Sequence, residues 1–417
     1  MRKRSLWVAV LAGLLMGSLF AESERPFKVA NTIRFGYSDN LYRNQDEKES
    51  VFWSDVVDLS FRAALSDRTD LIAKSQITLL DDDGGTDLYP NLYLMLGHSV
   101  SPRLLLRLSE YYRSGDKSGD DVTSAEDDNE RYNYFINRVE FSADYVLTDK
   151  DRLESSVNHE ILRHDSEIDR LDYTSIGGGV TWKHILSPQR TYSTLNLRQK
   201  RVSYDNRADD FVRYDGVIFD YFDDEAYEDS TDITAGLNHT FNPQWQGSFE
   251  VGATYRQPEF PDYQTTDGTN VTVKRMENKD DWTPLIKAGL VYTPSPRTRL
   301  SADVLMRSEP TSSDERNSQD TAEIIFGAQH ELTAKLTAKA SARFARTDVD
   351  QNDDNDTVSG NQSLGDEERM DLEFRLIYQL NRMHFLEAGV SHSEKDYSDG
   401  EGWEDNRVDV GWRVEFN

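Results

Sequence analysis

The histidine–carboxylate neighbours at 159–160 and 164–165 and one acidic loop are candidate places for acid–base or metal chemistry in this 417-residue chain. His159 is followed by Glu160 and His164 by Asp165. An imidazole beside a carboxylate is raw material for general acid–base catalysis. Adjacent residues of an extended chain face opposite ways, however, and no nucleophile motif or second Asp pair surrounds either pair. Asp348-Val-Asp-Gln-Asn352 opens like a calcium loop. It then places Asp353 where the sharp-turn glycine belongs and Ser359 where the bidentate glutamate belongs, so it is not an EF-hand. The chain has no cysteine, which removes thiolate catalysis, thiolate metal sites, disulfides and a lipidated N terminus. Without a Gly-rich phosphate loop or a His cluster, the expectation is a non-enzyme with no cofactor and no metal.

The chemistry that does recur is charge in a period of two. In Arg407–Phe416, Val408, Val410, Trp412, Val414 and Phe416 fall on one side of an extended chain, and Arg407, Asp409, Gly411, Arg413 and Glu415 on the other. Leu372, Phe374, Leu376, Tyr378 and Leu380 alternate with Asp371, Glu373, Arg375 and Gln379. Val139, Phe141, Ala143, Tyr145 and Leu147 alternate in the same way with Arg138, Glu140, Ser142 and Asp144. An oily face opposite a charged face inverts a soluble β-protein and suits strands between lipid and a watery lumen. The candidate lumen-lining residues are Arg34, Arg62, Lys74, Arg107, Arg138, Glu140, Glu250, Arg307, Arg343, Glu373, Arg375 and Arg413. Mixed signs there could set a transverse field across a lumen or simply fill it with salt bridges.

The elements that must carry these residues alternate short turns with long acidic loops. The turns include Leu65–Leu71, Val100–Leu104, Leu147–Leu153, Leu186–Arg190, Phe241–Trp245, Pro294–Leu300, Leu332–Leu336 and Leu380–Met383. Their grammar is an apolar residue, then Ser, Thr or Asn, often Pro or Asp, then a basic or polar residue, which reads as a tight hairpin. The long connections include 81–85, 115–130, 205–225, 258–280, 309–320 and 348–366. Between them fit roughly eighteen strands, sixteen being the other even count, each about ten residues or longer. The expected fold is therefore all-β, a transmembrane antiparallel up-and-down barrel. Pro90 and Pro284 would break central strands, but both fall near the outer rim, where pairing can lapse. Tyr145, Trp182, Tyr192, Phe241, Trp245, Tyr292, Tyr378 and Phe385 lie near the short turns. Tyr37, Tyr112, Tyr134, Tyr204, Tyr255, Trp282 and Phe344 lie near the long loops, as two interfacial girdles require.

Residues 1–21 run basic, apolar, small (Arg2, Lys3 and Arg4, Leu6 to Phe20, Ala21) and read as a cleaved signal peptide. Residues 22–417 are then the barrel, with both termini and the short turns in the periplasm. Hydrophobic residues make up only 37% while aromatics reach 11%, a pairing expected when half of each strand faces water. Removing the three basic residues of the leader leaves 44 basic against 76 acidic residues, a net of −32. Seven acids against Lys117 sit in 115–130, and six Asp with no base in 348–366. These loops could be solvated spacers, a cation-concentrating vestibule, or divalent-cation bridges to lipopolysaccharide. So acidic a chain argues against nucleic acid as a partner.

One loop breaks the polar pattern. Residues 205–225 carry Phe211, Tyr214, Phe219, Asp220, Tyr221, Phe222, Asp223 and Asp224, with Val212, Val217 and Ile218 between. An apolar loop of this length could constrict the lumen, pack over neighbouring loops, or offer an extracellular partner site.

Gly36-Tyr-Ser-Asp-Asn-Leu41, the turn grammar and the aromatic closing strand together resemble the second family of β-barrel porins. The resemblance implies an outer-membrane barrel and a pore, with no catalytic residue to carry over. The functional expectation is a channel for small polar solutes or ions, inserted by the barrel-assembly machinery into outer-membrane lipid and lipopolysaccharide. The alternative is a non-conducting surface or export scaffold that binds a partner or polysaccharide through its loops.

Overall fold

The computed structural model describes residues 26–41, 43, 49–82, 85–116, 133–164, 172–204, 212–214, 217–221, 226–259, 263–266, 271–274, 280–309, 316–351, 366–397 and 402–416. The expected signal peptide lies outside them. Period-two alternation makes the described segments extended, and the strands follow in chain order: β1 (Phe27–Ser38), β2 (Ser50–Ser66), β3 (Thr69–Asp82), β4 (Gly85–Ser101), β5 (Leu104–Asp116) and β6 (Asn133–Val146). Next come β7 (Asp151–His164), β8 (Tyr173–Ser187), β9 (Thr191–Tyr204), β10 (Val212–Tyr214), β11 (Val217–Tyr221), β12 (Ala226–Asn242), β13 (Trp245–Glu259), β14 (Tyr263–Thr266) and β15 (Val271–Lys274). The last are β16 (Asp281–Ser295), β17 (Thr298–Glu309), β18 (Arg316–Glu331), β19 (Leu336–Gln351), β20 (Glu367–Gln379), β21 (His384–Tyr397) and β22 (Gly402–Phe416).

Eighteen of these strands form one closed antiparallel sheet. Each pairs with its neighbours in sequence, β9 passes to β12, β13 passes to β16, and β22 pairs back onto β1 (Val29 opposite Phe416). Closure leaves no edge strand to aggregate. Strands about 4.8 Å apart and tilted by about 40° close an eighteen-stranded wall roughly 35 Å across. The even count brings Phe27 and Phe416 to the rim that carries the short turns.

The turns form as their sequences dictate. Side-chain oxygens of Ser66, Ser101, Thr148, Asn242, Thr333 and Asn381 accept hydrogen bonds from backbone N–H groups two residues on, at 2.8–3.3 Å. Pro90 pairs with Ile77 on β3, but the β4–β5 ladder begins only at Asn91. Pro284 likewise pairs with Ala253, while β16–β17 begins at Ile286. Each proline sits where the pairing on its other side has lapsed, so no ladder bond is lost.

Large apolar side chains stand exposed around the outer face, among them Phe35, Leu88, Leu94, Phe141, Leu197, Phe249, Phe326, Phe374 and Val410. That surface needs lipid, not water. Polar pairs interrupt it, among them two in which a side-chain amide meets a carboxylate. Asn31 bonds Asp55, and Asn137 donates to Glu110 at 3.2 Å, so each of these outward carboxylates has an amide donor.

Four short strands depart from the sequence expectation, which assigned 205–225 and 258–280 to loops. β10 and β11 form a hairpin, β14 and β15 another, and β11 pairs with β14 to make a separate four-stranded sheet. Their alternation is too short to register as strands, and the partner loop supplies the β11–β14 ladder that joins the two hairpins.

Candidate pore lining and rim

Parity along each strand, fixed by register, decides which side chains face inward. Arg34, Arg375 and Arg413 line one inner hollow with Thr32, Ser54, Asp58, Gln76, Arg407 and Asp409. Arg62 and Lys74 share parity with Asp58 and Gln76, and both are exposed. Arg107 lies between Gly97 and Ser142, and Glu140 between Ser109 and Asn158. Arg138 Nε donates to Glu160 at 2.6 Å. Glu250 accepts from Thr234 Oγ1 at 2.5 Å and from Asn196 at 3.2 Å. Arg307 stands opposite buried Thr321, and Arg343 pairs with Glu323 and, at 3.8 Å, with Asp371. Glu373 receives Arg375 Nε at 3.1 Å. The twelve charged candidates therefore sit on the inner face, spread around the wall.

The densest cluster crosses the seam where the barrel closes. Glu387 on β21 is buried and meets Arg34 at 3.2 Å, Arg413 at 3.4 Å and Arg375 at 3.7 Å. Arg375 also clasps Asp409 through two nitrogens at 2.9 and 3.1 Å, and Arg413 pairs with Glu415. These ions come from β1, β20, β21 and β22, so several contacts skip a whole strand. Glycines make that reach possible. Gly389 lies between Arg375 and Asp409 in the ladder, and a Cβ there would stand 2.9 Å from the Arg375 guanidinium and 2.6 Å from Asp409. Gly411, between Glu387 and Arg34, would place a Cβ 3.0 Å from Arg34 Cγ. The side chains lie across a bare stretch of backbone and meet over it. Alternation in the sequence put Asp409 and Gly411 on the charged face of the closing strand without naming them as lining candidates, and it missed Glu387 and Gly389, although both share the arginines' inward parity.

Burial differs between the two halves of the wall. Away from the seam cluster, inward residues toward the short turns are largely exposed, including Arg62, Lys74, Arg152, Arg198, Arg299 and Lys339. Toward the long loops they are buried: Tyr134, Leu162, Val202, Tyr204, Glu228, Arg256 and Trp403 are each 4% exposed or less. Tyr134 and Tyr204, expected in the outer girdle, thus face the lumen, because they share parity with Arg138 and Lys200 rather than with Val139 and Arg201. Tyr192 and Phe385 are inward by the same count, while Trp245 stacks on Tyr292 at 4.0 Å on the outside.

The Gly36–Leu41 element turns in over the closing strands. Ser38 Oγ donates to Asp405 at 2.6 Å, Asp39 accepts from the Asn406 N–H groups, and Arg407 donates to the Leu41 carbonyl at 3.0 Å. Just beyond it, Arg43 is buried against Asp405 (3.1 Å), Ser393 (3.1 Å) and the Trp403 ring. Burial, and then the like charge of Arg407, push the Arg43 guanidinium down to about 10, with Asp405 opposing. It remains charged at neutral pH.

The histidine pairs separate. His159 is outward and exposed while Glu160 is inward. His164 is buried and holds Asp172 at 3.0 Å, and Asp165 lies outside the described residues. Of the aromatic-loop candidates, Tyr214 belongs to β10 and Phe219, Asp220 and Tyr221 to β11. Phe211, Phe222, Asp223 and Asp224 lie outside the described residues. So does most of the 348–366 loop, beyond Gln351.

A closed eighteen-stranded sheet, apolar outside and charged inside, defines a β-barrel of the outer-membrane class. The sequence from residue 229 to residue 416, running from β12 through the closing strand, matches the family described as "Putative beta-barrel porin 2". Curated proteins provide no match to the chain. Solved structures of the same fold include the FrpB iron transporter from Neisseria meningitidis, at 9% identity over 94% of this chain and 83% of that one, with a TM-score of 0.52. A mutant of the ferric enterobactin receptor from Pseudomonas aeruginosa gives 7% identity over 95% of this chain and 81% of that one, TM-score 0.50. Such identities concern the fold alone.

Proposed function

We propose that the chain is a water-filled channel of the outer membrane that passes small polar solutes or ions. The observation that carries this reading is the inner wall. Eighteen strands enclose more width than their own side chains fill, and the wall is lined with paired ions rather than apolar residues. Arginines and carboxylates in comparable numbers give a corrugated potential that holds water and favours hydrated solutes over apolar ones. The twelve inward charges named above line that path. The burial of the outer half supports a narrowing toward the long loops, and we assign the constriction itself to the aromatic loop 205–225. The chain is exported by residues 1–21, assembled by the barrel machinery through β22, and seated with its short turns in the periplasm and its long loops among lipopolysaccharide.

The test is planar-bilayer recording of the refolded protein in a salt gradient. Stepwise conductance with a measurable reversal potential is expected, and a folded barrel that inserts without conducting would refute the channel. A second reading, a surface barrel that binds a partner, draws on the sheet formed by β10, β11, β14 and β15. Two loops knitted into one platform present a firmer surface than two separate loops. It would be preferred if the inserted protein were silent.

A further inference from the structure

The rim of short turns carries a regular pattern that the channel does not use. At eight places around it, one turn carbonyl accepts the N–H of the next strand: Arg68, Arg103, Lys150, Arg190, Gln244, Arg297, Lys335 and Met383, at 2.7–2.9 Å. The shared bond makes these positions structurally equivalent. Six of the eight are basic, and Arg382 precedes Met383, so seven of the eight turns bring a cation. All seven are exposed, and none makes an ion pair among the described residues. Asp67 and Asp149 adjoin two of these cations, but the turns as a group stay net positive in a chain with a formal charge of −29.

Two further rings lie beside the cations. The residue that opens each turn is apolar and exposed in seven cases: Leu65, Val100, Leu147, Leu186, Phe241, Leu332 and Leu380. Just above, on the outward face, five of the eight histidines stand at strand ends: His98, His184, His239, His330 and His384. In three of them Nδ1 meets a threonine hydroxyl across the ladder: Thr69 with His98 at 2.9 Å, Thr191 with His239 at 2.7 Å, and Thr298 with His330 at 2.9 Å. A ring whose Nδ1 accepts from a hydroxyl keeps Nε2–H as a donor for another acceptor. His184 Nδ1 bonds Asp151 at 2.7 Å, and His384 receives Trp412 at 3.2 Å.

We propose that this rim is a binding collar for the phosphate headgroups of anionic phospholipids in the membrane leaflet next to the short turns. The inference rests on the orientation proposed above, which makes that leaflet the periplasmic one. The order of chemistry matches a lipid read from tail to head: apolar side chain, imidazole and hydroxyl, then free cation. Paired strands place successive cations about 12 Å apart, beyond a physiological Debye length of about 8 Å, so each acts as a separate headgroup site.

The experiment titrates the full-length refolded protein in mild detergent with phosphatidylglycerol or phosphatidylcholine. Retained lipid is read by native mass spectrometry, and barrel melting by circular dichroism. The protein should prefer phosphatidylglycerol by at least about tenfold, and salt should erode the preference. Replacing Arg68, Arg103, Lys150, Arg190, Arg297, Lys335 and Arg382 by Gln should abolish it. The smaller set Arg68→Gln, Arg190→Gln and Lys335→Gln should reduce it, should the full set fold poorly. Gln at Arg163, Arg201 and Arg346, on the opposite rim, should leave it intact. Equal retention of both lipids, or an undiminished preference in a folded collar variant, would overturn the proposal. So would collar-dependent sedimentation with peptidoglycan in place of lipid binding, or a shifted reversal potential without lipid loss. Micelle binding does not depend on conduction or cellular orientation, so failure of the channel and failure of the collar are read separately.

Discussion

Glu387→Gln should move the selectivity of the pore toward anions. One carboxylate serves three guanidiniums, at 3.2, 3.4 and 3.7 Å, and its side chain is 3% exposed. The isosteric amide keeps the shape and removes one negative charge. A monovalent ion passing about 8 Å away in water-like surroundings would feel a change of about 0.5 kcal/mol, or about twofold in relative permeability. A wall of lower dielectric raises this several-fold, and salt screening lowers it. Stability should fall by about 1–3 kcal/mol, less than for a lone buried pair, because the arginines keep Asp409 and Glu415. The assay is the reversal potential of single channels in a potassium chloride gradient, with urea unfolding in parallel. Glu368→Gln, an outward and exposed acid, is the control and should change neither. An unchanged reversal potential in a conducting Glu387→Gln barrel would refute the assignment of this cluster to the conducting path.

Gly389→Val should push Arg375 off Asp409, lowering stability by about 1–3 kcal/mol by urea unfolding, whereas Ala388→Val on the outer face should be near neutral. Val410→Arg on the lipid face should cost roughly 2–4 kcal/mol in folded yield, and Arg413→Gln on the inner face much less; equal tolerance would mean that β22 does not face lipid. An epitope at Asp121 or Asn355 should be reached by antibody on intact cells and one at Gln189 should not, the reverse result inverting the barrel. Deleting Phe211–Phe222 should raise single-channel conductance, and changing Asp220, Asp223 and Asp224 to Asn should lower cation preference. An assembled barrel unchanged in both would leave the paired loops as a lid or platform.

The closed wall was legible in the sequence because its information is local. Alternation assigns faces, Ser, Thr and Asn close the turns, and Pro90 and Pro284 mark where ladders stop. The tertiary structure decided what depends on residues far apart in the chain. Arg34 and Glu387 are separated by more than three hundred positions and meet only because β22 closes onto β1. Gly389 and Gly411 are unremarkable in sequence, and their role exists only once a guanidinium from one flanking strand must cross them. The four short strands of the outer sheet carry too few residues to declare themselves, and the β11–β14 ladder that joins the two hairpins comes from two different loops. Tyr134 and Tyr204 are a different case: alternation with Arg138 and Lys200 already put them on the inner face, and nearness to the rim was the wrong guide to it.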